Sequence, residues 1–233
     1  MIEVLTQIPV FGVIITLLTF WMGVVLQEKT KITFLQPILT STVLIILILK
    51  IANIEYEVYK AQNEFLNFLL PSTAVILAVP LYKNINILKK NAVPVIAGVF
   101  LGTLTTIGTC ILLGKVLGAK PEIILSMIPK GVTNPIAIEV SDIIGGIPSL
   151  TVALVVFTGI IGGSFGPEII RLLGIKNKIA KGIALGTMCH AIGTARAFKE
   201  GEVEGAMSSL AMGIAGIFTA IIAPIIVSVL NII

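Results

Sequence analysis

The stretch Gly182-Ile-Ala-Leu-Gly-Thr-Met-Cys-His-Ala-Ile-Gly-Thr-Ala195 decides how this chain folds. Its 14 residues carry no charge and would measure about 21 Å as an α-helix, whereas a helix needs about 20 residues to cross the hydrocarbon core of a bilayer. The segment is therefore too short to span a membrane and too apolar to be a solvated loop. It predicts a discontinuous or re-entrant helix, which lipid tolerates only where other helices or a water-filled cavity satisfy the freed backbone groups.

The composition indicates that the rest of the chain also lies in a lipid bilayer. Of the 233 residues, 56% are apolar and 12% are charged, and the mean hydropathy is +1.08. A soluble domain is about 25% charged, so an ordinary cytosolic globule is excluded. The two cysteines, Cys110 and Cys189, lie in apolar stretches and are interpreted as small buried hydrophobes, which excludes a disulfide scaffold.

Six apolar stretches predict transmembrane helices. They are Ile8 to Leu26, Phe34 to Leu49, Phe65 to Tyr82, Asn91 to Gly114, Ile143 to Pro167 and Gly205 to Ile233. Basic residues concentrate in the loops 27–33, 83–91 and 168–181. The positive-inside rule assigns these loops to the cytoplasm and so places the N-terminus outside.

A second interrupted stretch, Ile123 to Asp142, lies between the fourth and fifth spans. The expected fold is one all-α polytopic membrane domain over residues 1–233, with four spans in 1–114 and broken-helix units in 115–167 and 168–233. The loop charges indicate that the two units enter from opposite sides of the membrane. That is the pattern of an inverted-topology repeat, in which broken helices form a site near the bilayer midplane.

The first broken helix contains Ile128-Pro-Lys-Gly-Val-Thr-Asn-Pro-Ile-Ala-Ile-Glu139. Proline removes a backbone donor and disfavours the helical conformation of the residue before it, so helix breaks are expected at Pro129, Gly131 and Pro135. Freed N–H groups attract anions, and the expected substrate ligands beside them are Lys130, Thr133 and Asn134. The alternative is that Lys130 only offsets a helix dipole or reaches the interface.

The second broken helix has breaks expected at Gly186 and Gly193. In a continuous helix Thr187, His190 and Thr194 share one face, and with Arg196 they are expected to bind a carboxylate. His190 is the sole histidine and could gain a proton as an anion binds, which predicts proton-coupled symport. The alternatives are a core histidine and an arginine that caps a helix end.

Glu139 and Asp142 are further candidates for proton or ion coupling, although either could simply end the broken helix. Glu200, Glu202 and Glu204 are interpreted as a solvated turn. The sequence lacks hydrolase, zinc-protease and phosphate-loop motifs, so we expect no enzyme, no metal, no cofactor and no nucleic-acid partner. Glycines spaced by four, such as Gly159 and Gly163, predict close helix packing and are compatible with a homo-oligomer.

The chain resembles the LrgB/CidB family of bacterial membrane proteins, also found as a domain of the plastid glycolate/glycerate translocator. The resemblance is carried by 128–139, by Gly145-Gly-Ile-Pro-Ser-Leu-Thr151 and above all by 184–197 running into 200–210. The chain differs where Gly131 replaces the usual serine and where Met188 and Cys189 replace two serines. Those differences bear on specificity if the hydroxyls contact substrate.

The resemblance implies a multi-pass protein of the bacterial cytoplasmic membrane and two functional descriptions. One is a carrier of small monocarboxylates such as pyruvate or glycolate. The other is an antiholin-like modulator of murein hydrolase activity and autolysis. It also implies a small holin-like membrane partner of the LrgA/CidA type.

Overall fold

The structure, a computed structural model, describes residues 10–30, 35–66, 68–69, 79 and 82–230. These residues contain eleven helical segments, and four of the helices are long and apolar enough to cross a membrane. The chain divides into two compact units, Met1–Ile76 and Leu77–Ile233. Each unit is described by itself.

The N-terminal unit contains α1 (Phe11–Thr30), α2 (Pro37–Ile51) and α3 (Tyr56–Gln62). The first predicted span corresponds to α1, whereas α2 has 15 residues and is shorter than a full span. Most of the third predicted span, Phe65 to Tyr82, lies outside the described residues. Thr16 joins α1 to α3, because its hydroxyl lies 2.6 Å from the Tyr59 hydroxyl.

The second unit holds the remaining elements. They are α4 (Ile85–Lys90), α5 (Ala92–Val116), α6 (Pro121–Met127), a 3₁₀ helix (Ile128–Gly131), α7 (Asn134–Ile143), α8 (Pro148–Leu172), α9 (Lys178–Glu200) and α10 (Glu202–Val229). The apolar helices α5, α8 and α10 have 25, 25 and 28 residues, and they correspond to the fourth, fifth and sixth predicted spans.

Helix α9 reverses direction at His190, whose backbone has φ 42° and ψ −134°. Leu185 and Ala197 would lie about 18 Å apart in a continuous helix, yet they pack in one cluster. A Cβ on Gly193 would clash with the Leu185 carbonyl oxygen for the same reason. We call residues 178–200 the second hairpin, with a first limb 178–189, a tip at His190 and a second limb 191–200.

The break in α9 therefore lies at His190, and Gly186 and Gly193 lie inside the two limbs. These glycines permit close backbone contact instead of interrupting the helix. A Cβ on Gly186 would collide with the Ser208 carbonyl oxygen of α10. The reversal also separates Thr194 from Thr187, so the expected single face with His190 does not form.

A first hairpin consists of α6, the 3₁₀ helix and α7. Its chain turns through Val132 and Thr133, both in extended conformations. Pro129 lies inside the 3₁₀ helix and Pro135 in the first turn of α7, where no backbone N–H is needed. The extended pair that follows Gly131, not either proline, is thus the break, and we call 131–133 the tip of the first hairpin.

The two hairpins approach α8 from opposite ends. Thr151, near the start of α8, lies 3.0 Å from the Ser126 carbonyl oxygen and 2.7 Å from the Ser141 hydroxyl, one group on each limb of the first hairpin. Ile170, near the end of α8, packs against Leu185 and Ala197 of the second hairpin. Between these points, Val155 touches both tips.

Helix α10 runs in the opposite sense. Its beginning packs on the second hairpin, where Ser208 contacts Gly186 of one limb and Thr194 of the other. Its end packs on the first hairpin, where Ala223 and Val227 join the cluster formed with Leu125 and Val140. Each hairpin therefore packs between the start of one of the two long helices, α8 and α10, and the end of the other.

One face of α8 is made of glycines because the second hairpin rests on it. A Cβ on Gly159 would lie 2.6 Å from His190 Cε1, and one on Gly166 would lie 2.8 Å from Leu185 Cδ2. At Gly162 a Cβ would collide with the Cys189 sulfur. The spacing of three and four residues places these glycines on one helical stripe.

We predict that Gly159→Ala destabilises the protein by about 1–3 kcal/mol, because the added methyl group overpacks against the His190 ring. Gly213→Ala on α10 is the control, since a Cβ there meets no heavy atom within 4 Å in the part of the chain described. Heating both variants in detergent and measuring the folded fraction by size-exclusion chromatography tests this. Equal melting temperatures would contradict the packing of the second tip on α8.

Candidate functional site

The tips of the two hairpins meet at a small cavity. A Cβ built on Gly131 would lie 3.4 Å from the Thr187 carbonyl oxygen, so the first tip lies directly against the second hairpin. The tip cavity has a volume of about 10 Å³, room for one water molecule at most. It is lined by Thr103, Thr106, Ile107, Ile128, Gly131, Val132, Thr187 and Thr219.

Two hydroxyl groups of the tip cavity have no hydrogen-bond partner among the residues that the structure describes. Thr103 and Thr187 are each 4% exposed, and the oxygen atoms of both side chains are unpaired. Thr106 instead donates to the Gly102 carbonyl oxygen at 2.9 Å. An unsatisfied buried polar group costs about 1–3 kcal/mol, so such groups in native proteins indicate a bound water, ion or ligand.

Thr103 is a site residue that sequence reasoning missed. It lies in the middle of α5, a 25-residue apolar helix that was interpreted only as a span. The available signal was the hydroxyl-rich run Thr103-Leu-Thr-Thr106 directly after Gly102. Because Thr105 and Thr106 satisfy their hydroxyls within their own helix, the sequence could not single out Thr103.

Directly before the first tip, Lys130 carries a positive charge that no carboxylate of the described residues neutralises. Lys130 is half-buried at the end of the 3₁₀ helix, and its ammonium lies beside the Cys110 thiol. In the part of the chain that the structure describes, Lys130 makes no ion pair. A charge at membrane depth is costly without a counter-charge, so this position favours an anion.

The start of α7 adds to the positive potential at the same tip. Thr133 is the N-cap residue of this helix, but its side chain accepts no capping hydrogen bond. The Oδ1 atom of Asn134 is buried, and no described residue donates a hydrogen bond to it. The first N–H groups of a helix lack intrahelical acceptors and form a natural anion site. Lys130, Thr133 and Asn134 therefore lie within five consecutive residues on the two sides of the helix break, and their role as substrate ligands stays a prediction.

His190 holds the second tip against α8. Its ring is 4% exposed, and Nε2 lies 2.9 Å from the Val155 carbonyl oxygen. A carbonyl can only accept, so Nε2 carries the proton of this hydrogen bond and a second proton would have to bind at Nδ1. A positive φ is unusual outside glycine and persists only where surrounding contacts enforce it.

Thr194 and Arg196 lie on the second limb, away from the first tip. The Thr194 hydroxyl donates to the His190 carbonyl oxygen at 2.9 Å and lies 2.9 Å from the Ser208 hydroxyl, so its bonding capacity is used. Arg196 Nη2 pairs with Glu200 Oε1 at 2.9 Å. The structure does not bring the Arg196 guanidinium to Lys130.

The acidic residues are arranged differently from expectation. Glu139 and Asp142, on α7, are exposed. Glu204, in contrast, is 4% exposed in the first turn of α10, and its Oε2 atom has no partner. The solvated-turn interpretation therefore does not apply to Glu204, because Gly201 and Gly182 bring backbone close around it. No cluster that could hold a metal ion occurs in the described residues.

Comparison with known proteins places the chain in a family. The sequence profile of the LrgB-like family matches residues 16–229. The antiholin-like proteins LrgB of Bacillus mycoides (strain KBAB4), Bacillus cereus (strain B4264) and Bacillus anthracis (strain CDC 684 / NRRL 3495) are each 33% identical over 220 residues. That alignment covers 94% of this chain and 96% of each relative. No solved structure matches the chain significantly.

We predict that Thr103→Val and Thr187→Val leave the free energy of unfolding unchanged or raise it, because each removes a buried hydroxyl that has no partner. Thr194→Val is the matched control and should destabilise the protein by about 1 kcal/mol, because its hydroxyl is bonded. Thermal unfolding in detergent without added ligand measures all three. If the Thr103 and Thr187 variants lose as much stability as the Thr194 variant, these two hydroxyls stabilise the fold.

Proposed function

The chain belongs to the LrgB-like family, and we propose that it is a secondary transporter of small organic anions of the pyruvate or glycolate type. The observation that carries this proposal is Lys130, which directly precedes the tip of the first hairpin and makes no ion pair in the part of the chain that the structure describes. A passive structural protein would gain nothing from an uncompensated charge there, whereas an anion carrier needs one.

The proposed topology has six spans, with the N-terminus outside and the hairpins as two re-entrant elements of an inverted repeat. Two observations support it: the hairpins approach α8 from opposite ends, and Lys89, Lys90, Lys176 and Lys178 gather near the start of α5 and the start of α9. The positive-inside rule assigns that end to the cytoplasm. Rocking of the hairpins against the long helices would expose the tips to each side in turn.

The proposed ligand set suits a monocarboxylate. The carboxylate group would lie near Lys130 and the N-terminus of α7, accepting hydrogen bonds from the hydroxyls of Thr103 and Thr187. One positive charge matches one negative charge, so a second carboxylate would enter the membrane interior without a counter-charge. The cavity of about 10 Å³ would have to widen to admit even a three-carbon acid.

A second candidate function is an antiholin-like regulator of murein hydrolase activity that acts through a small holin-like membrane partner. The relatives carry the name antiholin-like, which favours this candidate. Gly108 and Gly213 add support, since they leave open helix surface in the described chain where another helix could pack. This function requires no substrate and no charge at the tips.

We predict that purified protein in liposomes takes up labelled pyruvate, glycolate or glycerate, and that Lys130→Ala lowers uptake about 10- to 100-fold. The reason is that a hydrogen bond to a charged group contributes about 1.5–3 kcal/mol. The control is Lys115→Ala, because Lys115 is exposed at the end of α5 and should leave uptake intact.

Two outcomes would decide against transport. The first is the absence of uptake of any small monocarboxylate, with or without a pH gradient or added partner. The second comes from a lysis assay in cells. The regulator function expects Lys130→Ala to keep the lysis phenotype and Gly213→Leu to abolish it, whereas the transporter function expects the reverse. Gly213 is the suitable position, because substitution at Gly159 would also disturb the fold.

We further predict that uptake falls as pH rises through the pKa of His190, if this residue takes up the coupling proton with the anion. His190→Gln separates titration from packing: its amide N–H can still donate to the Val155 carbonyl oxygen but cannot gain a proton. This variant should show little pH dependence between about pH 5.5 and 7.5. A wild-type pH profile in the variant would leave His190 as a packing residue and move the coupling role to Glu139 or Asp142.

A further inference from the structure

A groove on the surface of the second unit leads toward the tip cavity. It has a volume of about 440 Å³ and lies between α5 and the first limb of the second hairpin. It begins at Asn91 and Asn177 and ends at Gly102 and Thr187. The groove exists because Gly98 and Gly102 have no side chains to fill the space opposite Ile183 and Thr187.

Thr187 separates the groove from the tip cavity, since it lines both. A Cβ on Gly102 would lie 2.9 Å from Thr187 Cγ2, so the methyl group of Thr187 closes the inner end against the α5 backbone. The Thr187 hydroxyl is buried and has no hydrogen-bond partner in the described part of the chain. A change of about 120° in its χ1 angle can bring the hydroxyl to the position that the methyl group now holds, and the absence of a side chain at Gly102 leaves room for this rotation.

The outer end of the groove favours anions. Asn91 directly follows Lys89 and Lys90, and Asn177 lies between Lys176 and Lys178. The lining of the groove contains no Asp or Glu. A cleft with one sign of charge at its mouth and low-dielectric walls raises the local concentration of the opposite ion.

We propose that this groove is the cytoplasmic vestibule through which a small organic anion reaches the tips, and that Thr187 is its inner gate and first hydroxyl ligand. The proposal rests on the proposed transport function and adds to it the route, the gate and the basis of charge selection. Lys89, Lys90, Lys176 and Lys178 select anions at the mouth. Thr187 passes the carboxylate from the vestibule to Lys130.

Cysteine accessibility tests the vestibule. In a background without Cys110 and Cys189, Ala184→Cys places a thiol in the groove, and Leu101→Cys places one at a similar depth on an exposed face of α5. Inside-out vesicles are treated with a negatively charged sulfonatoethyl or a positively charged trimethylammonium methanethiosulfonate, neither of which crosses membranes. We expect the groove thiol to react and the control thiol to stay unmodified in lipid.

The anionic reagent should react with the groove thiol at least about threefold faster than the cationic one. Salt should reduce that preference, because the screening length falls from about 10 Å at 0.1 M to about 3 Å at 1 M. Replacing Lys89 and Lys178 by Gln should reduce it as well. If the groove thiol reacts with neither reagent, or reacts faster with the cationic one, the groove is not a vestibule for anions.

The gate is tested by Gly102→Ala, whose methyl group would press on Thr187, with Gly108→Ala on the same helix as the control. Gly108 lies away from the groove, and a Cβ there meets nothing within 4 Å in the described chain. We expect Gly102→Ala to lower pyruvate uptake at least about tenfold while the groove thiol keeps its reactivity. If Gly102→Ala takes up pyruvate as fast as Gly108→Ala does, Thr187 is not the gate.

The same labelling distinguishes this inference from the proposed function. Pyruvate or glycolate at millimolar concentration should slow modification of the groove thiol by the anionic reagent. If the thiol shows the anion preference but wild-type protein takes up no monocarboxylate, the vestibule stands and the transport function fails. If uptake is robust but the thiol is unreactive, transport stands and the route proposed here is wrong.

Discussion

The hydrogen bond between the His190 ring and the Val155 carbonyl oxygen is the constraint on which the second unit depends. It fixes the point where α9 reverses, at a backbone conformation that a non-glycine residue rarely adopts. The bond also fixes the depth at which the second hairpin stops along α8. Because Val155 packs on Val132 of the first hairpin, the same residue of α8 sets the position of both tips.

The site follows from this arrangement more than from any single side chain. Two hairpins that end at one level leave a cavity lined by hydroxyls that have no partner in the described chain, with Lys130 and the start of α7 on either side of the first tip. A membrane supplies no water to such groups, so whatever satisfies them must be bound there. Glycines on α8 and in the second hairpin make this convergence possible, since a methyl group would collide with the chain packed against it at Gly159, Gly162, Gly166, Gly182, Gly186 and Gly193.

The sequence predicted the parts that depend on local chemistry. A short charge-free stretch and an apolar stretch interrupted by prolines indicated two discontinuous elements, and Lys130, Thr133 and Asn134 lie beside the break of the first one. The sequence could not locate the reversal at His190, because a histidine with positive φ is imposed by tertiary contacts with α8 and has no local signal. Thr103 was missed because an unpaired hydroxyl is recognised only once its surroundings are known. Glu204 was misassigned because burial of a carboxylate in a tight turn depends on the helix packed behind it.

The unpaired charge of Lys130 has an electrical consequence. A carrier whose empty site holds one positive charge becomes neutral at that site when it binds a monoanion. A charge moved across the full membrane potential changes its energy by about 2.3 kcal/mol for every 100 mV. In a transport cycle that moves the anion alone, the voltage would therefore act on the return of the empty hairpins and hardly on the loaded step, whereas a proton carried on His190 would leave both steps with one positive charge.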